Sequence, residues 1–356
     1  MKRAIAIADR TALTALLLIV ALNVLFLISF VAVTIIATGK AHAEASACKG
    51  ADMLAALQKS DPALVEKIAA EAAQTPNGKG LLWKVEKAGA EPSFLFGTMH
   101  MTDPRVVALT PAAQKAFDAS STVVIETTEI LDQSSMMAAI MKEPDLTMFT
   151  DSTTLTSLLS PEDAAVVEKA LDARGIPPAS VSKMKPWMLS AMVALPACEL
   201  SRKAAGAPVL DIKLAQDAQA MGKKVEGLET VADQLRAMAS LPMDFHMKGL
   251  VDTLKLGDRM DDIIETMIVL YQRGETGMFW PLFRAVLPDE AGGDGDGYAA
   301  FDEAMIRSRN RTMAESAETI LAQGDAFIAV GAMHLPGEDG LVALLRDDGY
   351  KVTAVD

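Results

Sequence analysis

Two short segments carry the residues best suited to chemistry. Residues 93–104 read SFLFGTMHMTDP and residues 326–338 read AFIAVGAMHLPGE. Each is an apolar run that breaks at a glycine and presents a histidine three residues later, giving Gly97-Thr98-Met99-His100 and Gly331-Ala332-Met333-His334. Such runs read as strands, and their C-terminal ends are where open α/β sheets expose functional groups. The chain has only four histidines in 356 residues. Two of them in equivalent contexts predict one shared site.

Two further groups belong near that pair. Thr122-Val123-Val124-Ile125-Glu126 reads as a buried strand ending in a carboxylate, one helical stretch after the first motif. In a parallel sheet this order places Glu126 beside His100 as a third member of the site; the alternative is a solvated glutamate at a strand end. Arg307, Arg309, Asn310 and Arg311 lie on a helical segment that feeds the second motif. They are placed to supply positive charge to a substrate carbonyl, carboxylate or phosphate, or to offset an acidic surface.

The elements that must position these residues are legible as patterns. Trp83 and Val85 alternate with Lys84 and Glu86, which reads as a half-buried strand hairpinned through residues 88–92 into Ser93–Phe96. PAAQKAFDAS, from Pro111, reads as a helix between the first motif and the Glu126 strand. Residues 133–205 are helical in pattern and divided by Pro144, Pro161, Pro177-Pro178, Pro186 and Pro196, as expected of an insertion of short helices. The sheet pattern returns at residues 207–211 and 224–230, so Asp211 and Glu229 close short strand-like runs at the same edge as Glu126. Residues 244–275 read as one long amphipathic stretch. His246 near its start and Trp187 earlier in the chain read as core residues. Asp289–Gly297 is acidic and glycine-rich but lacks the spacing of a calcium loop, and reads as a surface loop. Tyr350–Ala354 adds a closing strand.

Composition narrows the function. A formal net charge of −14 argues against a nucleic-acid partner, since phosphate binding needs a basic surface. The 21 methionines form no clustered run, so they need no metal to explain them. Neither an HExxH nor a GxSxG motif occurs in the chain.

Residues 1–47 read as a separate N-terminal segment and residues 48–356 as the folded domain. Lys2, Arg3 and Arg10 precede an uncharged apolar stretch, Thr11 to Gly39, longer than the roughly 20 residues needed to cross a bilayer. Its length suits a retained transmembrane anchor; Ala41-His42-Ala43 suits cleavage of a signal peptide. With the positive residues on the cytoplasmic side, the expected location is the inner membrane of a bacterium with a periplasmic domain, or the periplasm itself after cleavage near Ala43. His42 lies in this tether. Cys48 and Cys198 are the only cysteines, and in an exported chain they are expected to pair or to remain as buried thiols.

The FLFGTMH and VGAMHLPGEDGLVALLRDDGYKV segments, with VVIE after the first, VEGLETVADQ in the middle and RSRN before the second, resemble the TraB/GumN family, related to Tiki-like proteases and the erythromycin-esterase/ChaN-like fold. The resemblance spans roughly residues 48–356. It implies an α/β domain with a mixed central β-sheet flanked by helices, the two Gly-x-x-His strand-end motifs facing one cleft, and a helical insertion. For the Tiki branch it implies a metalloprotease stimulated by manganese or cobalt. Carried onto this chain, the site residues are His100, Glu126 and His334, with Arg309 and Asn310 beside them.

Three functional readings follow. In the first, His100, Glu126 and His334 ligate a divalent metal, zinc being a further candidate, and the metal activates water against a peptide or small-molecule substrate. In the second, an esterase-like hydrolase works without metal, with Glu126 and one histidine as acid and base while the other histidine orients water. In the third, the cleft of an exported protein binds a ligand without turnover and serves signalling. Arg309 or Asn310 would steady the oxyanion in the catalytic readings.

Overall fold

The computed structural model describes residues 48–286 and 295–355. A six-stranded mixed sheet positions everything that follows. Its strands are β1 (Leu82–Glu86), β2 (Ser93–Thr98), β3 (Thr122–Ile125), β4 (Lys224–Gly227), β5 (Ala326–Gly331) and β6 (Lys351–Ala354), in the spatial order β4-β3-β5-β2-β1-β6. β1 is antiparallel to β2 and β6, whereas β4, β3, β5 and β2 run parallel. Four parallel strands therefore end at one edge.

β5 takes the central place because it is apolar on both faces. Phe327 and Ala329 join the core that holds Phe96 and Phe117, while Ile328 and Val330 join the opposite core with Met313, Leu341 and Val342. A strand covered on both sides reads as an unbroken apolar run, and burying each large side chain contributes about 1.5–3 kcal/mol. The strand order differs from the expected one in one respect. Chain order alone sets β3 next to β2, with Glu126 directly beside His100, but β5 lies between them: Phe96 of β2 and Ile125 of β3 both face Ala329. β5, apolar at every position before Gly331, pairs with both.

The expected helical insertion is present within the mixed α/β fold. Helices Pro161–Asp172, Pro178–Val181 and Pro186–Val193 each open with proline in the first turn, where its missing N–H costs nothing. Leu155, Val167, Leu171, Leu189 and Val193 form a separate small core with Leu250 and Leu254. Trp187 and His246 are core residues of this region, their rings 4.5 Å apart, and the His246 ring Nε2 lies 2.9 Å from the Met238 carbonyl. Cys48 and Cys198 form a disulfide.

Two local expectations are corrected. Residues 207–211 do not end a strand: Val209 is extended, and helix Leu210–Ala220 begins immediately after it, with Asp211 in its first turn. Pro208 has no N–H to give a sheet ladder. The stretch 244–275 is two helices, Met243–Leu256 and Arg259–Gln272, parted at Gly257, whose φ of 53° lies outside the helical range.

The expected membrane anchor has no counterpart in the described structure. Among the described residues no helix is long and apolar enough to cross a membrane. Thr11–Gly39 and the cleavage site near Ala43 lie outside the described residues, so the expected inner-membrane and periplasmic placement and the membrane partner have no structural support. Residues 289–294 of the expected acidic loop also lie outside them, and its last residues, 295–297, open helix Gly295–Asp302.

Candidate active site

Register brings the two motifs together. Thr98 of β2 pairs with Gly331 of β5, so both chains leave the sheet at the same level and turn His100 and His334 toward one another. Two glycines permit the approach. A Cβ on Gly97 would stand 2.7 Å from Leu335 Cδ1 and 3.1 Å from Ala332 Cα, blocking the turn that carries His334. A Cβ on Gly331 would lie 3.2 Å from Glu126 Oε1, 3.5 Å from His334 Cδ2 and 3.6 Å from His100 Nε2, in the middle of the site. The glycine leaves open the space onto which all three side chains face.

Glu126 is the hub. Its Oε1 lies 3.9 Å from His100 Nε2 and 3.9 Å from His334 Nε2, and accepts the Gly331 backbone N–H at 2.7 Å. Its Oε2 accepts Arg309 Nη2–H at 2.7 Å and Gln234 Nε2–H at 3.0 Å. Arg309 also pairs with the buried side chain of Glu229, and Gln234 donates to Glu229 Oε1 at 2.8 Å. Burial pushes the Glu126 carboxyl up, but His334, His100, Arg309 and the Gly331 amide outweigh it and hold it at about 2. The carboxylate is ionised, and three hydrogen bonds fix its orientation.

The two histidines have opposite surroundings. His334 is buried, and its Nδ1 lies 2.6 Å from Asn310 Oδ1. Asn310 is oriented by its own Nδ2–H, which donates to the Asp339 carbonyl at 2.7 Å. The oxygen therefore faces His334, Nδ1 carries the proton, and Nε2 presents a lone pair to the cleft. Burial pushes this imidazole down to about 4. His100 instead leaves 60% of its side chain open to solvent, with Nδ1 2.8 Å from Asp211 Oδ2. The Asp211 carboxylate raises it to about 9 against the cost of desolvation on its inner side, though water at the open face screens part of this pull. Asp211 also accepts the Thr98 hydroxyl at 2.5 Å and sits where a helix N-terminus favours negative charge.

Of the expected residues, His100, Glu126, His334 and Arg309 converge, and Asn310 stands behind His334. Both amide atoms of Asn310 are engaged, and Arg309 is clamped between two carboxylates, so neither is presented to a substrate oxyanion. Arg307 pairs with Asp302 and Asp339, and Arg311 with Glu303, away from the site. The sequence pattern gives Asp211 and Glu229 no role, although each closes an apolar run at the functional edge. Gln234 and Thr98 carry no comparable signal.

The expected divalent metal is overturned. Among the described residues no group of three or more His, Cys, Asp or Glu side chains is arranged to hold a metal ion. The physical reasons lie in Glu126: both oxygens already accept hydrogen bonds, and an adjacent guanidinium neutralises the charge that would attract a cation. The ligand set of His100, Glu126 and His334, the manganese, cobalt or zinc cofactor, and the metal-dependent peptidase reading fall together.

A mixed sheet whose parallel strand ends gather two histidines and a buried glutamate defines an α/β protein with a polar cleft. The TraB/PrgY/gumN family model matches residues 81–354, and the chain belongs to that family. Two zebrafish (Danio rerio) proteins named Metalloprotease TIKI2 and Metalloprotease TIKI1 are each 25% identical to it over 76% of this chain. The aligned region spans 60% and 62% of those relatives' own lengths. No solved structure matches the chain.

Proposed function

We propose that this protein is a metal-independent hydrolase that cleaves an ester bond with a pair of histidines in opposite protonation states. The observation that carries the reading is the pair of 3.9 Å separations from Glu126 Oε1 to His100 Nε2 and His334 Nε2, with Asp211 behind one ring and Asn310 behind the other. A water between them meets one donor, the His100 Nε2–H, and two acceptors, His334 Nε2 and Glu126 Oε1.

The chemistry divides between the rings. His334 takes a proton from the water as its oxygen attacks the ester carbonyl, and the imidazolium so formed faces the Glu126 carboxylate. His100 gives its Nε2 proton to the departing alkoxide. Environments that push two titrating groups apart assign acid and base, and here burial and Asp211 do so in opposite directions. A base held near 4 is weak, which suits an ester carbonyl better than the less reactive amide.

The test is turnover of ethyl esters of short carboxylic acids, whose alkoxide must be protonated to leave, by the full chain after exhaustive chelation. The expected result is hydrolysis that survives chelation and is lost in both His100→Gln and His334→Gln. Turnover that vanishes on chelation and returns with manganese, cobalt or zinc overturns the reading, as does a complete lack of ester hydrolysis alongside ligand binding in the cleft.

A further inference from the structure

The loop after β2 is held from behind by charges that take no part in the chemistry above. Glu199 is 0% exposed and lies beside Cys198 in the first turn of helix Ala197–Ala204. Its Oε1 accepts the Thr102 backbone N–H at 2.7 Å; its Oε2 accepts the Thr102 hydroxyl at 2.8 Å and an Arg202 guanidinium N–H at 3.2 Å. Arg202 also donates to Thr102 Oγ1 at 3.1 Å, and its Nη2 reaches Cys48 Sγ at 3.2 Å. Thr102 lies two residues beyond His100, and between them the Met101 N–H turns back onto the Met99 carbonyl at 2.7 Å. Little slack separates the clamp from the imidazole.

A fully buried carboxylate is costly unless its oxygens are satisfied, and most of the donors here come from this loop. The helix that carries it belongs to the insertion, but the disulfide joins it to a segment with its own hold on the scaffold. Ala51 N–H donates to Asp262 Oδ1 and Met53 N–H to Thr266 Oγ1, both at 2.8 Å, on helix Arg259–Gln272. A Cβ on Gly50 would fall 2.0 Å from the Asp261 carbonyl, so the chain after Cys48 lies flat on that helix.

We propose that Glu199 is a positioning residue for His100, and that the Cys48–Cys198 bridge holds Glu199 in place, so that the covalent state of the bridge is felt at the His100 imidazole. The mechanical path runs from helix Arg259–Gln272 through Cys48 and Cys198 to Glu199, Thr102 and His100. Only the kinetic consequence rests on the hydrolase reading; the positioning itself does not.

Opening the bridge is a balanced exchange with a dithiol. A thiolate attacks the half-buried Cys48 sulfur, the disulfide bond breaks as a mixed disulfide forms, and Cys198 leaves with the electron pair. The reagent's second thiol then displaces Cys48 and closes its own disulfide. Two electrons and two protons pass to Cys48 and Cys198, which end as thiols.

The experiment compares three forms of the full chain: oxidised, reduced with dithiothreitol and alkylated, and oxidised Glu199→Gln. Expected in the second and third forms are Thr102 amide exchange faster by about tenfold or more and loss of the downfield signal of the His100 Nδ1 proton that faces Asp211. With an ethyl ester, kcat falls by about tenfold while KM stays within about twofold, as for a misplaced catalytic group. Unchanged Thr102 exchange and an unchanged His100 signal in Glu199→Gln overturn the positioning role. The same result in folded, reduced protein overturns the role of the bridge. Should reduction unfold the chain, Glu199→Gln decides the positioning with the bridge intact, and a Cys48→Ala, Cys198→Ala variant, checked by circular dichroism, decides the bridge. If no form hydrolyses the ester, the hydrolase reading fails, while the exchange rates and the proton signal still decide the positioning role.

Discussion

His100 and His334 approach the same carboxylate oxygen of Glu126 at the same distance, 3.9 Å, yet one imidazole is held charged and the other neutral. The difference arises behind the rings. An aspartate backs the half-open one and an amide oxygen backs the buried one.

This asymmetry predicts a bell-shaped dependence of kcat/KM on pH. Activity should rise as His334 loses its proton near pH 4 and fall as His100 loses its own near pH 9, leaving a broad plateau between. Initial rates on an ethyl ester across that range check it; a single narrow maximum with both limbs near 6.5 would contradict the assignment.

Exchanging the backing groups should move the limbs. Asp211→Asn removes the charge that supports the His100 imidazolium, so the alkaline limb should fall from about 9 toward the ordinary histidine value of 6.5. Asn310→Asp places a carboxylate behind His334, and the acid limb should climb above 4. Proton resonances of the two rings, followed through a pH titration of each variant, report the same movements without requiring turnover.

The two histidines should also act on stability with opposite sign. His334, depressed when folded, binds fewer protons than its unfolded counterpart between about 4 and 6.5, so its contribution to stability falls as pH drops through that window. His100, raised when folded, binds more between 6.5 and about 9; its contribution is complete below 6.5 and fades as pH rises toward 9. Thermal unfolding of His334→Gln should therefore lose less on acidification from 6.5 to 4 than the parent does, and His100→Gln should lose less on alkalinisation.

Much of this arrangement is legible in the amino acids. Apolar runs that break at Gly97 and Gly331 mark the strand ends, and the terminal Glu126 marks the same edge, because a polar residue there leaves the core without leaving the sheet. The position of β5 is not legible, since local pattern carries no information about which of two apolar strands a later one will part. Asp211 reads as a strand end because a short apolar run before a helix start looks like a strand. The metal expectation fails for a different reason: residue types suggest ligands, whereas protonation and the already accepted hydrogen bonds of Glu126 depend on neighbours as remote in sequence as Arg309 and Gly331.

The two motif glycines should fail in distinguishable ways. Gly331→Ala puts a methyl into the space shared by His100, Glu126 and His334, so ester turnover should drop by about a hundredfold with little change in melting temperature. Gly97→Ala forces its methyl against Leu335 and the Ala332 backbone, and should cost about 1–3 kcal/mol of stability, measured by denaturant unfolding.

The central place of β5 has a consequence for biosynthesis. In the sheet β2 and β3 are joined through Ala326–Gly331, a segment translated long after both of them. A nascent chain that has emerged only through β4 lacks His334 and the strand that joins β2 to β3 in the finished sheet. The second histidine arrives with the strand that fills the middle of the sheet, so the cleft is complete only when β5 is in place.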